Sequence, residues 1–143
     1  LNQCDDAVAI GDRHRLRQVL LNLTDNAIKY NHPGGTVTMA LRNAGEDMEI
    51  EVVNTGEGIP PDLQSRIFDR FVRGDEARNK AIDGCGLGLA IVRWIVETHC
   101  GTIRITSDPG KITKALVRLP RMKSKAREHP QAHSASDFIS HGI

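Results

Sequence analysis

The chain has 143 residues, 39% of them hydrophobic and 3% aromatic, with nineteen Lys and Arg against eighteen Asp and Glu for a net charge of +1. That length supports one domain with a real core, and the near-neutral balance gives no global pull toward nucleic acid or an acidic membrane. No apolar run approaches the roughly 20 residues that span a bilayer, and no charged-then-apolar signal segment is seen.

The charge is uneven. Residues 121–143 hold four Lys/Arg and two Asp/Glu, which leaves fifteen and sixteen for residues 1–120. The reading is therefore a folded domain over 1–120 and a basic, polar, aperiodic tail over 121–143, expected to be disordered. Cys4, Cys85 and Cys100 are odd in number and lack Cys-x-x-Cys spacing. That fits a reducing compartment and argues against a disulfide framework or a zinc ribbon.

In chain order, residues 1–11 start abruptly, as a cut inside a longer chain would, with Ala7 to Ile10 read as a short strand. Asp12 to Tyr30 reads as one amphipathic helix, capped by Asp12 and stopped by His32-Pro33-Gly34-Gly35. Leu16, Val19, Leu20, Leu23, Ala27 and Tyr30 fall on one stripe. Beside that stripe, Asn22, Asn26 and Lys29 share a face at i, i+4 and i+7. Two amides and an ammonium at the rim of a core suit an oxygen-rich ligand such as a magnesium phosphate. A solvated helix face accounts for the same pattern.

Thr36 to Leu41 and Met48 to Val53 read as strands around the turn cluster 43–47. Met48, Ile50 and Val52 alternate with Glu49 and Glu51, so the hairpin buries one face. Next comes Asn54-Thr55-Gly56-Glu57-Gly58-Ile59-Pro60-Pro61, whose alternate glycines let backbone approach a ligand. Pro61 is placed to open a short helix reaching Arg66 or Ile67. Residues 70–83 are rich in both charges and poor in apolar anchors, and read as an exposed, mobile loop.

Gly84-Cys85-Gly86-Leu87-Gly88-Leu89 opens a second helix whose predicted stripe is Leu87, Ile91, Trp94 and Ile95, ended by His99-Cys100-Gly101. Strands at Thr102 to Thr106 and Ala115 to Leu119 close the domain around a turn at 107–111. The expectation is a two-layer α/β domain, a mixed sheet with helices on one face.

Glycines at a helix start leave backbone N–H groups open to phosphate oxygens, although a glycine-rich hinge has the same composition. The spacing 84, 86, 88 differs from Gly-x-Gly-x-x-Gly, and no strand directly precedes it, which disfavours a dinucleotide fold. No Lys-Ser/Thr follows, which excludes a Walker loop.

Three elements in this order are specific. Asn22-x-x-x-Asn26-x-x-Lys29-Tyr30 lies on a helix, Gly56-Glu57-Gly58-Ile59-Pro60 follows a strand, and Gly84-Cys85-Gly86-Leu87-Gly88-Leu89 opens a helix. With Ile67-Phe68-Asp69-Arg70-Phe71 between them, residues 7–119 resemble the catalytic ATP-binding domain of bacterial sensor histidine kinases. That domain has the Bergerat fold, in the wider family shared with gyrase, Hsp90 and MutL.

The resemblance implies that Asn22 and Asn26 hold Mg²⁺ against the phosphates of ATP, that Lys29 reaches a phosphate, and that Tyr30 lines the adenine pocket. It implies that Gly56, Gly58 and Ile59 form the pocket floor and that residues 68–83 form a lid, with Arg73 able to meet phosphate. Gly86 and Gly88 would offer backbone N–H groups, and Asn54, Phe71, Gly84, Leu87 and Leu89 complete the implied nucleotide-binding set.

Two departures stand out. Asn54 occupies a place where the family usually has Asp, which accepts from the adenine amino group. An amide oxygen accepts from that amine too, as a weaker neutral partner. Second, no phosphoacceptor motif of the Ser-His-Glu-Leu-Arg-Thr-Pro kind is present. His14 reads as a solvated helix residue and His99 as a helix-end residue. His129 and His133, in a polar tail without a third ligand, do not read as a metal site.

The implied activity is transfer of the ATP γ-phosphoryl to a histidine on a separate dimerisation domain, with a response regulator downstream and no nucleic-acid partner. The resemblance further implies a cytoplasmic domain, monomeric alone, within a dimeric kinase anchored in the bacterial inner membrane. The alternatives are a gyrase- or Hsp90-type ATPase, a nucleotide-sensing module without transfer, and a serine-kinase anti-sigma factor.

Overall fold

The apolar stripe of the first helical segment becomes α1, Arg13–Lys29, in a computed structural model that describes residues 3–4, 9–72 and 86–121. Asp12 caps it, its Oδ1 accepting from the N–H groups of His14 at 2.8 Å and Arg15 at 3.1 Å. These two backbone donors, Arg15 first, hold the Asp12 carboxyl below its usual range. Around α1 the chain runs β1 (Gln3–Cys4), β2 (Val37–Ala44), β3 (Asp47–Thr55), α2 (Pro61–Gln64), α3 (Gly88–Thr98), β4 (Thr102–Asp108) and β5 (Ile112–Pro120).

The strands form one mixed sheet in the order β1-β2-β3-β5-β4, parallel between β1 and β2 and antiparallel elsewhere. Both long helices lie on one face. Val19, Leu23 and Ala27 from α1 and Val92, Ile95 and Val96 from α3 meet Met48, Ile50 and Val52 of β3 and Ala115, Val117 and Leu119 of β5. Each large side chain buried there contributes about 1.5–3 kcal/mol. The mixed sheet with helices on one face is the architecture expected from the sequence.

Several local expectations are corrected. Of the strand placed at Ala7–Ile10, residues 7 and 8 lie outside the described residues. The free edge of β2 is taken by Gln3–Cys4, and Ala9 makes only an isolated bridge to Arg121. The β2–β3 turn shrinks to Gly45 and Glu46, because Asn43 pairs with Met48 and Ala44 with Asp47. Ladder pairing there outweighs the turn propensity of the local residues. Gly45 takes a left-handed φ of 64°, as the first position of such a tight turn favours. Helix α2 stops at Gln64, and the chain continues in three-residue turns, with Arg66 N–H donating to the Leu63 carbonyl and Asp69 N–H to that of Arg66. The residues of the tail beyond Arg121 lie outside the described residues.

The buried stripe of α3 is also rotated from the predicted one. Val92, Ile95 and Val96 face the sheet, while Trp94 is 53% exposed and lies under the Arg15 guanidinium at 4.8 Å. Compact branched side chains fit between helix and sheet, whereas the indole covers the outer seam between helices. Helix α3 ends with Cys100 N–H bonded to the Glu97 carbonyl and Gly101 N–H to that of Val96. The left-handed residue there is Cys100, φ 57°, rather than the neighbouring glycine. Gly101 serves packing instead, since a Cβ on it would stand 2.4 Å from the Arg118 carbonyl oxygen.

The opposite face of the sheet carries a ladder of charge. Glu51 is paired with Arg42 and Lys114, and Glu49 with Arg118 at 2.7 Å; both carboxylates are only 16% exposed. The Lys114 hydrogen bond, aided by the charges of Lys114 and Arg42, holds the Glu51 carboxyl below the usual glutamate value of 4.5. Its stabilisation is therefore present above that value and is lost as pH falls through the lowered folded value. Glu51→Gln is expected to cost about 1 kcal/mol at pH 7, with the gap to the parent narrowing at an acid pH below the usual glutamate value. Urea unfolding at both pH values checks this, and an unchanged gap at the lower pH would contradict the assignment.

Candidate functional site

Helices α1 and α3 run antiparallel, since Asp12 before α1 meets His99 after α3, and Asn22 in α1 meets Gly88 at the start of α3. The first tie is the Asp12 N–H donating to His99 Nε2 at 3.0 Å. The second is Asn22 Nδ2 donating to the Gly88 carbonyl at 3.3 Å. Asn26 lies one turn on, with its Nδ2 4.0 Å from where a Cβ on Gly88 would stand. The absent side chain thus keeps the gap between the Asn26 amide and the α3 start open.

That start is built to receive negative charge. Leu87 is the N-cap, no side chain caps it among the described residues, and the first turn carries no acidic residue. The opening N–H groups of a helix lack intrahelical partners and carry its partial positive charge. Lys29 sits on the exposed flank of α1, its ammonium 2.8 Å from Asp25.

The second part of the site is the loop after β3. Asn54, 6% exposed, is the one buried polar residue among the described residues. Its Nδ2 donates to the Thr55 carbonyl at 2.7 Å, which leaves the amide oxygen as the acceptor for an incoming group. Gly56 approaches the end of α1 so closely that a Cβ would lie 2.2 Å from the Tyr30 carbonyl oxygen, and its φ is 151°. Gly58, φ 79°, lies against Pro109 of the β4–β5 turn. Ile59 N–H donates to Ser107 Oγ at 2.9 Å and the Ile59 carbonyl accepts from Gln64 Nε2 at 2.9 Å. Tyr30, assigned to the buried stripe by its spacing, is instead 47% exposed where α1 meets this loop.

The third part is the base of the segment between Phe71 and α3. Phe71 N–H donates to the Gly86 carbonyl at 2.9 Å, joining its two ends. Both residues are left-handed, φ 66° and 69°, and a Cβ on Gly86 would stand 2.9 Å from Phe71 Cα. The Phe71 ring is 71% exposed, and Arg93 of α3 lies over Phe68 at 5.7 Å. Leu89 packs against the core and Leu87 is half-buried. Arg73 and Gly84 lie outside the described residues.

The fold therefore brings Asn22, Asn26 and Gly88 together, and sets Asn54, Gly56, Gly58 and Ile59 in one loop held by distant residues. Ser107, Gln64 and Thr113 were not singled out by the sequence. Their importance rests on contacts between the 56–64 segment and the β4–β5 turn, more than forty residues apart in the Ile59–Ser107 and Gln64–Ser107 pairs. No motif spacing spans such a gap.

Comparison with known proteins bears on this geometry. The profile described as histidine kinase-, DNA gyrase B-, and HSP90-like ATPase matches residues 11–123. The chain is 44% identical over 113 residues to the sensor-like histidine kinase SenX3 of Mycobacterium tuberculosis, covering 79% of this chain and 28% of that protein. It is 40% identical over 121 residues to the sensor protein SrrB of Staphylococcus aureus, covering 84% of this chain and 21% of that protein. Among solved structures it is similar to the mycobacterial sensor histidine kinase MprB (TM-score 0.70, 35% identity, 79% of this chain and 76% of that one). It is also similar to full-length ShkA in complex with AMPPNP (TM-score 0.68, 32% identity, 80% and 23%). The chain thus spans roughly a quarter of the length of these curated relatives.

The glycine loop's closeness to α1 is testable by stability alone. Gly34→Ala meets only the left-handed cost of about 1 kcal/mol, since its φ is 77° and nothing lies within 4 Å of the added carbon. Gly56→Ala adds the collision with the Tyr30 carbonyl, so a loss of about 3 kcal/mol is expected in urea unfolding. Equal losses in the two variants would show that the loop does not need that approach.

Proposed function

Because the chain belongs to the family of histidine kinase-, DNA gyrase B- and HSP90-like ATPases, and is the catalytic ATP-binding domain of a sensor histidine kinase, we propose that these residues hold ATP·Mg²⁺ and present its γ-phosphoryl to a histidine on a partner domain. The observation that carries the reading is the meeting of Asn22 and Asn26 with the uncapped start of α3.

The donor set fits the ligand. Asn22 and Asn26 supply amide oxygens, hard ligands suited to magnesium. The opening N–H groups of α3 and the Gly86–Gly88 backbone supply donors for phosphate oxygens. Lys29 adds a cation at the α1 end. Magnesium, when bound, neutralises phosphate charge as the γ-phosphoryl leaves. The Asn54 oxygen accepts from the exocyclic amine of the base, and the Gly56–Ile59 loop and Tyr30 border the ring. Arg73 and the rest of the lid are assigned to the phosphate side by the resemblance alone, and residues 73–85 lie outside the described residues.

Transfer then rests on positioning. The imidazole nitrogen of the acceptor attacks the γ-phosphorus, an N–P bond forms, and the bond to the β-γ bridging oxygen breaks to release ADP. Asn22 is an amide and cannot deprotonate water, which favours transfer over rapid hydrolysis. The proposed partners are a histidine-bearing dimerisation domain of the same kinase and a response regulator downstream, in a dimeric protein anchored in the inner membrane. No helix of the described residues is long and apolar enough to cross a membrane.

Asn26→Ala is expected to weaken ATP binding at least about tenfold in Mg²⁺ and by less than about twofold in excess chelator, as befits loss of a metal ligand. Calorimetry in both buffers decides, and equal affinity to the parent in Mg²⁺ removes Asn26 from the ligand set. With labelled ATP, this chain alone is expected to stay unlabelled and release phosphate slowly. Adding the helical histidine domain of the parent kinase is expected to give an acid-labile, base-stable label on that partner. Label on this chain alone, or fast phosphate release without the partner, would overturn the division of labour.

A further inference from the structure

The glycine loop does not hold itself. It borrows its shape from the turn between β4 and β5, and the bonds converge on one hydroxyl. Ser107 Oγ lies 2.9 Å from Ile59 N, 3.2 Å from the Ile112 carbonyl oxygen and 2.9 Å from Thr113 Oγ1. A serine hydroxyl has one hydrogen and two lone pairs. Ile59 N–H can only donate, so it takes one lone pair. The Ile112 carbonyl can only accept, so it takes the hydrogen. The remaining lone pair then accepts from Thr113, whose hydroxyl hydrogen is directed to Ser107.

Ser107 is thereby saturated, and each partner has one fixed role. Thr113 stands directly opposite Asn54 in the β3–β5 register, so this chain of hydroxyls reaches the residue beside the buried amide. Gln64 braces the other side, its Nε2 donating to the carbonyls of Ile59 at 2.9 Å and Ser107 at 3.4 Å. Two backbone bonds complete the seam: Gly56 N–H to the Lys111 carbonyl at 3.3 Å, and Gly110 N–H to the Glu57 carbonyl at 2.8 Å. A Cβ on Gly58 would stand 2.8 Å from Pro109 Cα and 3.0 Å from Ser107 Oγ, so the two segments touch without a side chain between them.

We propose that Ser107 is a positioning residue for the base half of the nucleotide site: through Ile59 N–H and Thr113 Oγ1 it sets the glycine loop and the hydroxyl beside Asn54, with Gln64 as its brace. The proposal rests on the nucleotide reading above and deepens it, dividing the site into two separately built halves. The phosphate half is assembled by α1 and α3, and the base half is assembled by β3, α2 and the β4–β5 turn. Removing the Ser107 hydroxyl leaves Ile59 N–H and the Ile112 carbonyl without this partner and frees the Thr113 hydroxyl to turn. None of these atoms touches the α1–α3 junction.

The test compares ATP with magnesium tripolyphosphate, a probe lacking the base, on the whole chain and its variants by calorimetry. Ser107→Ala is expected to weaken ATP binding about tenfold while tripolyphosphate affinity stays within about twofold, and Ser107→Thr, which restores the hydroxyl, is expected to recover most of the ATP affinity. Unchanged ATP binding in Ser107→Ala overturns the proposal. So does an equal loss for both probes, or failure of the threonine to recover binding, since each marks a general structural effect. Should Ser107→Ala fail to fold, Gln64→Ala carries the decision: a several-fold loss for ATP alone supports the positioning role, and unchanged ATP binding rejects it. Absence of ATP binding in the parent chain, seen before any variant is made, would overturn the nucleotide reading itself and this proposal with it.

Discussion

The antiparallel seating of α1 and α3 on one face of the sheet is the constraint on which the rest depends. Val19 and Leu23 from one helix and Val92, Ile95 and Val96 from the other fill the space above β3 and β5, and all are buried. Two polar contacts at opposite ends set the register of that pair. At one end His99 bonds through Nδ1 to the Ile95 carbonyl at 2.7 Å and accepts the Asp12 N–H on Nε2. The carbonyl requires the hydrogen on Nδ1, so the ring is held as the tautomer able to accept on the other nitrogen. At the other end Asn22 bonds to Gly88. A slip of one helix along the other would break both and carry Asn26 away from the α3 start.

Close backbone approach is the second theme. Gly56 meets the Tyr30 carbonyl, Gly58 meets Pro109, and Gly86 meets Phe71. Each joins two segments that are separate in sequence, and at each a side chain would displace backbone rather than a flexible neighbour. The polar site consequently lies along seams, while the core beneath it is apolar. This arrangement lets the sheet and helices supply rigidity and leaves the loops to shape a ligand surface. On the far side of the sheet, Glu49 and Glu51 with Arg42, Lys114 and Arg118 occupy the solvent face, so the strands need bury only one side.

What the sequence determined by itself was local and periodic. The stripe of α1 from Leu16 to Ala27, the Asp12 cap, the Met48-Ile50-Val52 alternation and the Pro61 helix start each depend on neighbours within a few residues, and each is present in the fold. The asparagines at i and i+4 and the two glycine-bearing elements were legible for the same reason, because their spacing and order are written along the chain. What only the tertiary structure decided were the choices made between distant segments. Trp94 lies outward and Val92 and Val96 inward, because the sheet leaves room for branched side chains and Arg15 covers the indole. Cys100 takes the left-handed position, because Gly101 is needed against the Arg118 carbonyl. Gln3–Cys4 extends the sheet, because pairing follows the open edge of β2. Ser107 and Gln64 became visible only once the β4–β5 turn lay on the glycine loop. Periodicity encodes which face of an element is apolar. It does not encode which other element will meet that face, or at which residue the two backbones will touch.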